Sequence, residues 1–162
     1  MGLPPVFVGL VVYLLLSRSG PLGVLDTLFT PTAMIAAETI LAFPLAAGLT
    51  SSAVRSVPPA LVLQVRSLGA TAWQTRAAIL KHSRRGVIAA VLAAYGRIVA
   101  EVGAVLLVGG NIAGKTRVLS TAIILETRRG EFDLALGLGL VLLSLAFLAN
   151  ALLLRLEPKI YR

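Results

Sequence analysis

The 162-residue chain contains no cysteine, a single histidine, a single tryptophan and only seven acidic residues. Without cysteine there is no disulfide framework and no thiolate ligand or nucleophile, so the redox compartment goes unread. His82 has no Cys or carboxylate partners at metal-ligand spacing, so no metal or other cofactor is expected, and no nucleophile has a base beside it. Charge is scarce: 14% of residues are charged and 57% hydrophobic, where a soluble domain is about one quarter charged. The net charge of +8 is confined to particular loops, not spread over one face of a soluble domain, which excludes a nucleic-acid partner. One core in so short a chain cannot bury this much apolar surface. The excess needs membrane lipid, so the class is an integral membrane protein.

Four apolar stretches are candidate spans: 1–17 (MGLPPVFVGLVVYLLLS), 31–50 (PTAMIAAETILAFPLAAGLT), 86–110 (GVIAAVLAAYGRIVAEVGAVLLVGG) and 134–154 (LALGLGLVLLSLAFLANALLL). The first is short for a span of about 17–25 residues; Pro4 and Pro5 suit its opening, where a missing N–H costs least. It does not read as a signal peptide, since no Lys or Arg precedes it and no clean cleavage pattern follows. Pro31 stands at a helix start and Pro44 predicts a kink. None of the four alternates apolar with polar residues as a barrel strand does.

Charge sets the direction. The stretch 51–86 carries Arg55, Arg66, Arg76, Lys81, Arg84 and Arg85 and no acid. In 111–133, Lys115, Arg117, Arg128 and Arg129 are offset by Glu126, Glu131 and Asp133. Positive-inside bias places 51–86 and the C-terminal tail in the cytoplasm, and 18–30 and 111–133 outside.

This topology bears on GGNIAGKT, residues 109–116, which matches the phosphate-binding loop G-x-x-x-x-G-K-[ST] at every fixed position. Such a loop follows a buried strand and needs a second strand ending in an Asp for Mg²⁺. Here it follows an apolar helix at the outer end of a span, away from cytoplasmic ATP, and neither Asp26 nor Asp133 ends a strand. The nucleotide-binding reading is therefore a remote alternative.

Three charged residues fall within spans: Glu38, Arg97 and Glu101. Each costs a few kcal/mol at a helix centre, so each should face the bundle interior. Arg97 and Glu101 are four apart, on a face bordered by the small residues Ala89, Ala93, Gly96, Ala100 and Gly103. Counting from the outer helix ends, both carboxylates sit at a depth of about 10 Å, so they could bracket the guanidinium. Two readings follow. In one, the cluster holds the second and third spans together; in the other, Arg97 lines a permeation path and meets an anion. The acids sum with Arg97 to a net negative charge, which argues against a strong anion site at Arg97.

The cytoplasmic stretch is longer than a helical hairpin needs. Leu61, Val65 and Leu68 share one helical face, and Trp73, Ala77 and Leu80 another, so two short helices separated at Gly69 are expected. Apolar faces on a basic loop suit docking to a partner protein, or to anionic lipid. His82, among Lys81, Arg84 and Arg85, reads as a solvated surface residue.

The run VLQVRSLGATAWQTRAAIL resembles the coupling loop of ABC importer permeases, E-A-A-x-x-x-G followed after nine residues by I-x-L-P. Gly69 falls on the glycine and Ile79 on the isoleucine; Leu63, Gln64 and Val65 replace E-A-A, and Lys81-His82 replace L-P. The run AAYGRIVAEVGAVLLVGGNIAGKTRVLSTAIILE is similar to the molybdate/tungstate branch, with its R-x-x-x-E-x-G-A leading into G-N-I-x-G-[KR]-T. The opening LPPVFVGLVVYLLLSRSGPLG resembles the tungstate subgroup.

This resemblance spans essentially the whole chain. It implies an all-α type I importer permease core: a single transmembrane domain over 1–162 with about four helices and a coupling loop over 51–85. Leu63, Gln64, Val65, Leu68, Gly69 and Ile79 would engage separate cytoplasmic ATPase subunits, which hydrolyse ATP; the chain itself is not an enzyme. Asn111, Gly114, Lys115 and Thr116 would form an outer turn near the gate, facing an extracytoplasmic substrate-binding protein. The permease would be a homodimer in a bacterial or archaeal plasma membrane, importing tungstate or molybdate, with sulfate the alternative. Family permeases carry one or two further N-terminal helices, so Met1 is expected to be internal to a longer chain.

The absence of cysteine supplies a topology test. Lys115→Cys introduces the only thiol, and a membrane-impermeant maleimide is expected to label it in intact cells. Labelling only after lysis would reverse the orientation and revive the nucleotide reading.

Overall fold

The computed structural model describes residues 3–155. All its regular elements among those residues are helical: α1 (Pro5–Leu16), a 3-10 turn (Gly23–Leu25), α2 (Pro31–Arg55), α3 (Pro59–Ser67), α4 (Ala72–Val99), α5 (Gly103–Gly109), α6 (Leu119–Arg129) and α7 (Phe132–Arg155). The charged residues Glu157, Lys159 and Arg162 of the C-terminal tail lie outside the described residues.

Two helices are each long and apolar enough to cross a membrane, α2 and residues 132–152 of α7. The broken pair α4 and α5, bent by 59°, makes a third when taken as one span. The apolar helix α1 has only 12 residues. Helices therefore fall on all four expected stretches, but only two of them, or three with the bent pair, are long and apolar enough to span. The helix boundaries also differ from those expected.

The third span is not one helix. It stops at Val99, turns through Ala100–Val102 and resumes as α5. Nor is there a second short coupling helix: α4 runs unbroken for 28 residues from Ala72, so the coupling helix and the span after it are one rod. Between Ala72 and Val99 the only weak helix formers of note are Gly86 and Gly96, each costing about 1 kcal/mol, too little to break a helix held by its neighbours. Helix α2 likewise continues through Pro44 to Arg55. The 51–86 stretch is thus mostly helix, with α3 held between turns at Ser56–Pro58 and Leu68–Thr71.

The core is built from α1, α2 and α5. Val8, Val12 and Leu16 of α1, Ala33, Met34, Ala37 and Leu41 of α2, and Ala104, Val105 and Val108 of α5 form one buried cluster. Each set repeats at three- and four-residue spacing, the signature of a single helix face. Ala104 and Val108 of the seven-residue α5, like Ala37 of α2, have no exposed surface. In lipid, helices associate through close packing of small residues more than through expulsion of water. Gly9 shows this: a Cβ there would sit 2.6 Å from the Ala104 Cα. By contrast, Val6, Phe7, Leu140, Leu143 and Phe147 are largely exposed, as lipid-facing side chains are.

Gly9→Val is accordingly expected to destabilise the chain by about 1–3 kcal/mol through overpacking. Gly48→Ala, where nothing lies within 4 Å of the added carbon, should be neutral or slightly stabilising. Thermal unfolding in detergent separates the two.

Candidate functional site

The turn between α3 and α4 is specified locally at both ends. At the end of α3 the Gly69 N–H donates to the Arg66 carbonyl at 2.9 Å and the Ala70 N–H to the Val65 carbonyl at 3.4 Å, the paired bonds of a Schellman closure. Gly69 has φ +82°, a conformation glycine adopts without the penalty a Cβ would bring. Two residues on, Thr71 opens α4 with a reciprocal cap. The Gln74 N–H donates to the Thr71 hydroxyl at 3.3 Å, and the Thr71 N–H donates to the Gln74 side-chain oxygen at 2.8 Å. This T-x-x-Q pattern was present in the sequence and would have marked the helix start. Leu63, Leu68 and Trp73 project at 67%, 82% and 75% exposure, so apolar surface is presented around the turn. Gln64 is exposed, while Val65 and Ile79 are half-buried.

The intramembrane charges are arranged differently from the bracket expected. Because α4 ends at Val99, Arg97 and Glu101 do not share a helical face. Glu101 Oε1 instead accepts from the N–H groups of Val102, Gly103 and Ala104 at 3.1, 2.8 and 3.3 Å. It is the cap of α5. Glu38 and Glu101 do converge, on a cavity of about 1000 Å³ between α2, the α4–α5 break, α6 and α7. Both oxygens of Glu38 are buried there without a hydrogen-bond partner among the described residues. Arg117 also reaches this cavity, whose lining is otherwise almost wholly apolar, with Ile35, Phe43 and Val105 among it.

Arg97 lies outside this cavity and is exposed, as are Ala89, Ala93, Gly96 and Ala100. These four small residues and the guanidinium thus face away from the chain's own helices, whereas Gly103, the fifth of the expected stripe, lies in α5 and packs against Val6. Among the described residues the ion pair present is Arg129 with Glu126, at 3.0 Å.

The turn after α5 accounts for GGNIAGKT without a nucleotide. Gly110, Asn111 and Gly114 have φ +70°, +52° and +72°, so the chain closes α5 and folds back. The N–H groups of Lys115, Thr116 and Arg117 all donate to the Ile112 carbonyl, at 3.1, 3.0 and 3.0 Å. Thr116, with 2% exposure, locks the turn: its hydroxyl donates to the Gly109 carbonyl at 2.5 Å and accepts from the Ile112 N–H at 3.0 Å. A phosphate loop needs its backbone N–H groups free and convergent. Here four of them are consumed internally, and the element before the turn is a helix. Lys115 is exposed. The motif is a loop staple, and what it shares with a phosphate loop is glycines for positive φ.

Thr116→Val keeps the shape and removes both hydroxyl bonds. It should cost about 1–3 kcal/mol by leaving the Ile112 N–H and Gly109 carbonyl unpaired. Trypsin cleavage after Lys115 or Arg117 is expected to accelerate several-fold, with ATP binding undetectable in both forms.

Comparison with known proteins fits this geometry. Over 157 residues the chain is 48% identical to the probable anion ABC transporter permease protein of Haloferax volcanii, covering 94% of this chain and 68% of that protein. Over 159 residues it is 42% identical to the tungstate uptake system permease protein TupB of Peptoclostridium acidaminophilum, covering 98% and 70%. The molybdenum transport system permease protein ModB of Escherichia coli is more distant, at 28% over 157 residues, with 88% and 69% covered. A family model matches residues 1–162 throughout. The chain belongs to the binding-protein-dependent transport system inner membrane components.

Proposed function

We propose that the chain is the membrane-spanning permease subunit of an ATP-driven importer for an oxyanion, tungstate. The observation that carries this reading is identity of 42–48% along almost the whole chain to permeases named for tungstate and for an anion, against 28% to one named for molybdenum. Separate cytoplasmic ATPase subunits hydrolyse ATP, and an extracytoplasmic binding protein delivers the oxyanion.

The Leu68–Thr71 turn is the part that meets the ATPase. Leu63, Leu68 and Trp73 offer the apolar surface, and Gly69 and Thr71 hold it in shape. Because α4 is one rod of about 40 Å, displacement of the turn is carried to Arg97 and the break above it. Two copies of the chain face each other across the exposed stripe of α4, which places Arg97 beside the path between them. The Glu38–Glu101 cavity is a poorer path for a tetrahedral dianion, since its lining is almost wholly apolar and sets two carboxyl groups against one Arg117. The Asn111–Thr116 turn lies on the outer face, where its rigidity gives the binding protein a fixed edge.

Gly69→Val tests the coupling role. A β-branched residue resists φ +82° and nothing crowds the position, so the damage is confined to backbone strain of about 1–3 kcal/mol. Cellular tungsten uptake by the intact importer should fall to near background at unchanged membrane abundance, while Gly69→Asn, which tolerates positive φ, should retain most uptake. Normal uptake by the valine variant would remove the coupling assignment. An intact importer that accumulates sulfate but no tungsten would overturn the substrate.

A further inference from the structure

Helices α3 and α4 do not close against each other. Leu61, Val65 and Leu68 of α3 recur at i, i+4 and i+7, a face that ordinarily buries itself against its neighbour. Opposite this face α4 supplies only Ala78 as apolar surface. The rest of its wall is Lys81, His82, Arg84 and Arg85. The result is a groove of about 570 Å³ with an apolar floor and a cationic wall. No acidic residue occurs between Glu38 and Glu101, so nothing nearby in the sequence neutralises that wall.

Its position along the chain is specific. Arg85 is followed directly by Gly86 and the apolar run of the third span, and α4 is continuous through this point. At about 1.5 Å per residue, Lys81 lies about 8 Å below the start of that run. This is the thickness of one headgroup layer, since the polar regions add about 5–8 Å to each side of the hydrocarbon core. By the positive-inside bias the layer is the cytoplasmic one, where anionic lipids concentrate.

We propose that this groove is a binding site for one anionic phospholipid of the cytoplasmic leaflet. The headgroup phosphate lies against Lys81, Arg84 and Arg85, and the glycerol and first methylenes lie on Leu61 and Val65. The amphipathic lining selects the lipid over a free anion, because a soluble phosphate leaves the apolar floor uncovered. The ATPase surface overlaps the groove at Gln64, Val65 and Leu68, but its exposed apolar anchors Leu63 and Trp73 are outside the groove lining, and the cationic wall matches a headgroup phosphate. Occupancy would brace α3 against α4 and so stiffen the coupling turn. The lipid site itself does not depend on the tungstate reading, only on membrane insertion.

The test is native mass spectrometry of the full permease in neutral detergent, titrated with phosphatidylglycerol or phosphatidylcholine. One phosphatidylglycerol per chain should bind in clear preference to phosphatidylcholine. Lys81→Gln with Arg85→Gln should weaken it about 25-fold, fivefold for each cation removed. Arg66→Gln with Arg76→Gln, of equal net charge but outside the groove lining, should leave it unchanged. Two further variants guard against misfolding: Lys81→Arg with Arg85→Lys should retain binding, and Val65→Glu should abolish it with every cation in place. Equal loss in both glutamine pairs would overturn the site in favour of a diffuse basic field. Displacement by millimolar inorganic phosphate would make it a free-anion site, and loss of lipid on adding the ATPase subunits would make it part of their seat. Either result overturns the proposal.

Discussion

In hydrocarbon a backbone N–H without a partner costs several kcal/mol, which is why spans are unbroken helices unless something satisfies the freed groups. Glu101 is that something here. Its Oε1 accepts from three successive N–H groups at the start of α5, and the interaction is strengthened by the negative charge meeting the positive end of the helix. The break after Val99 is tolerable because of this one carboxylate. Without it, α4 and α5 would continue as one helix, and the 59° bend would have no support.

The bend determines what surrounds it. Turned from the α4 axis, α5 enters between α1 and α2, and its Ala104 and Val108 become fully buried in the core. Close approach is then obligatory, and Gly9 is the residue of α1 that permits it. The far end of α5 must also be closed, and Thr116 does so through Gly109 and Ile112. Even the approach of α2 is tied in, since the Phe29 N–H donates to the Val108 carbonyl at 3.0 Å. One polar side chain inside the apolar layer thus organises the outer half of the molecule.

How much of this was legible follows from which residues carry it. The apolar runs and the turn at Gly69 are written in composition and periodicity, and they were read. The α4–α5 break was not, because the feature that marks it, a Glu four residues after an Arg, is also the signature of a helical ion pair. Spacing alone cannot choose between a carboxylate that pairs sideways and one that caps forward; only the partner N–H groups decide. GGNIAGKT misleads for the same reason. A phosphate loop and a stapled turn need glycines at similar positions, and the difference lies in whether the N–H groups point outward or onto Ile112. The length of α4 was underestimated because a polar, basic stretch looks like loop when its neighbours are apolar, although nothing in it breaks a helix.

The inner half is organised on another principle. There, backbone groups are near water, and rigidity comes from caps: the Schellman closure at Gly69 and the Thr71–Gln74 box. These hold the turn firmly to the end of α3 and the start of α4, but only α4 runs on to the break, for α3 is nine residues long and a groove separates it from α4. A force applied at Leu68 or Trp73 therefore has one stiff route, along α4 to the break at Ala100. At that point the helix changes direction over a single charged residue, so in the coupling role proposed above motion of the rod would pass to α5 as a change in its tilt. The place where the helix is allowed to break is thus also the place where inner and outer halves are mechanically joined, and the same carboxylate serves both requirements.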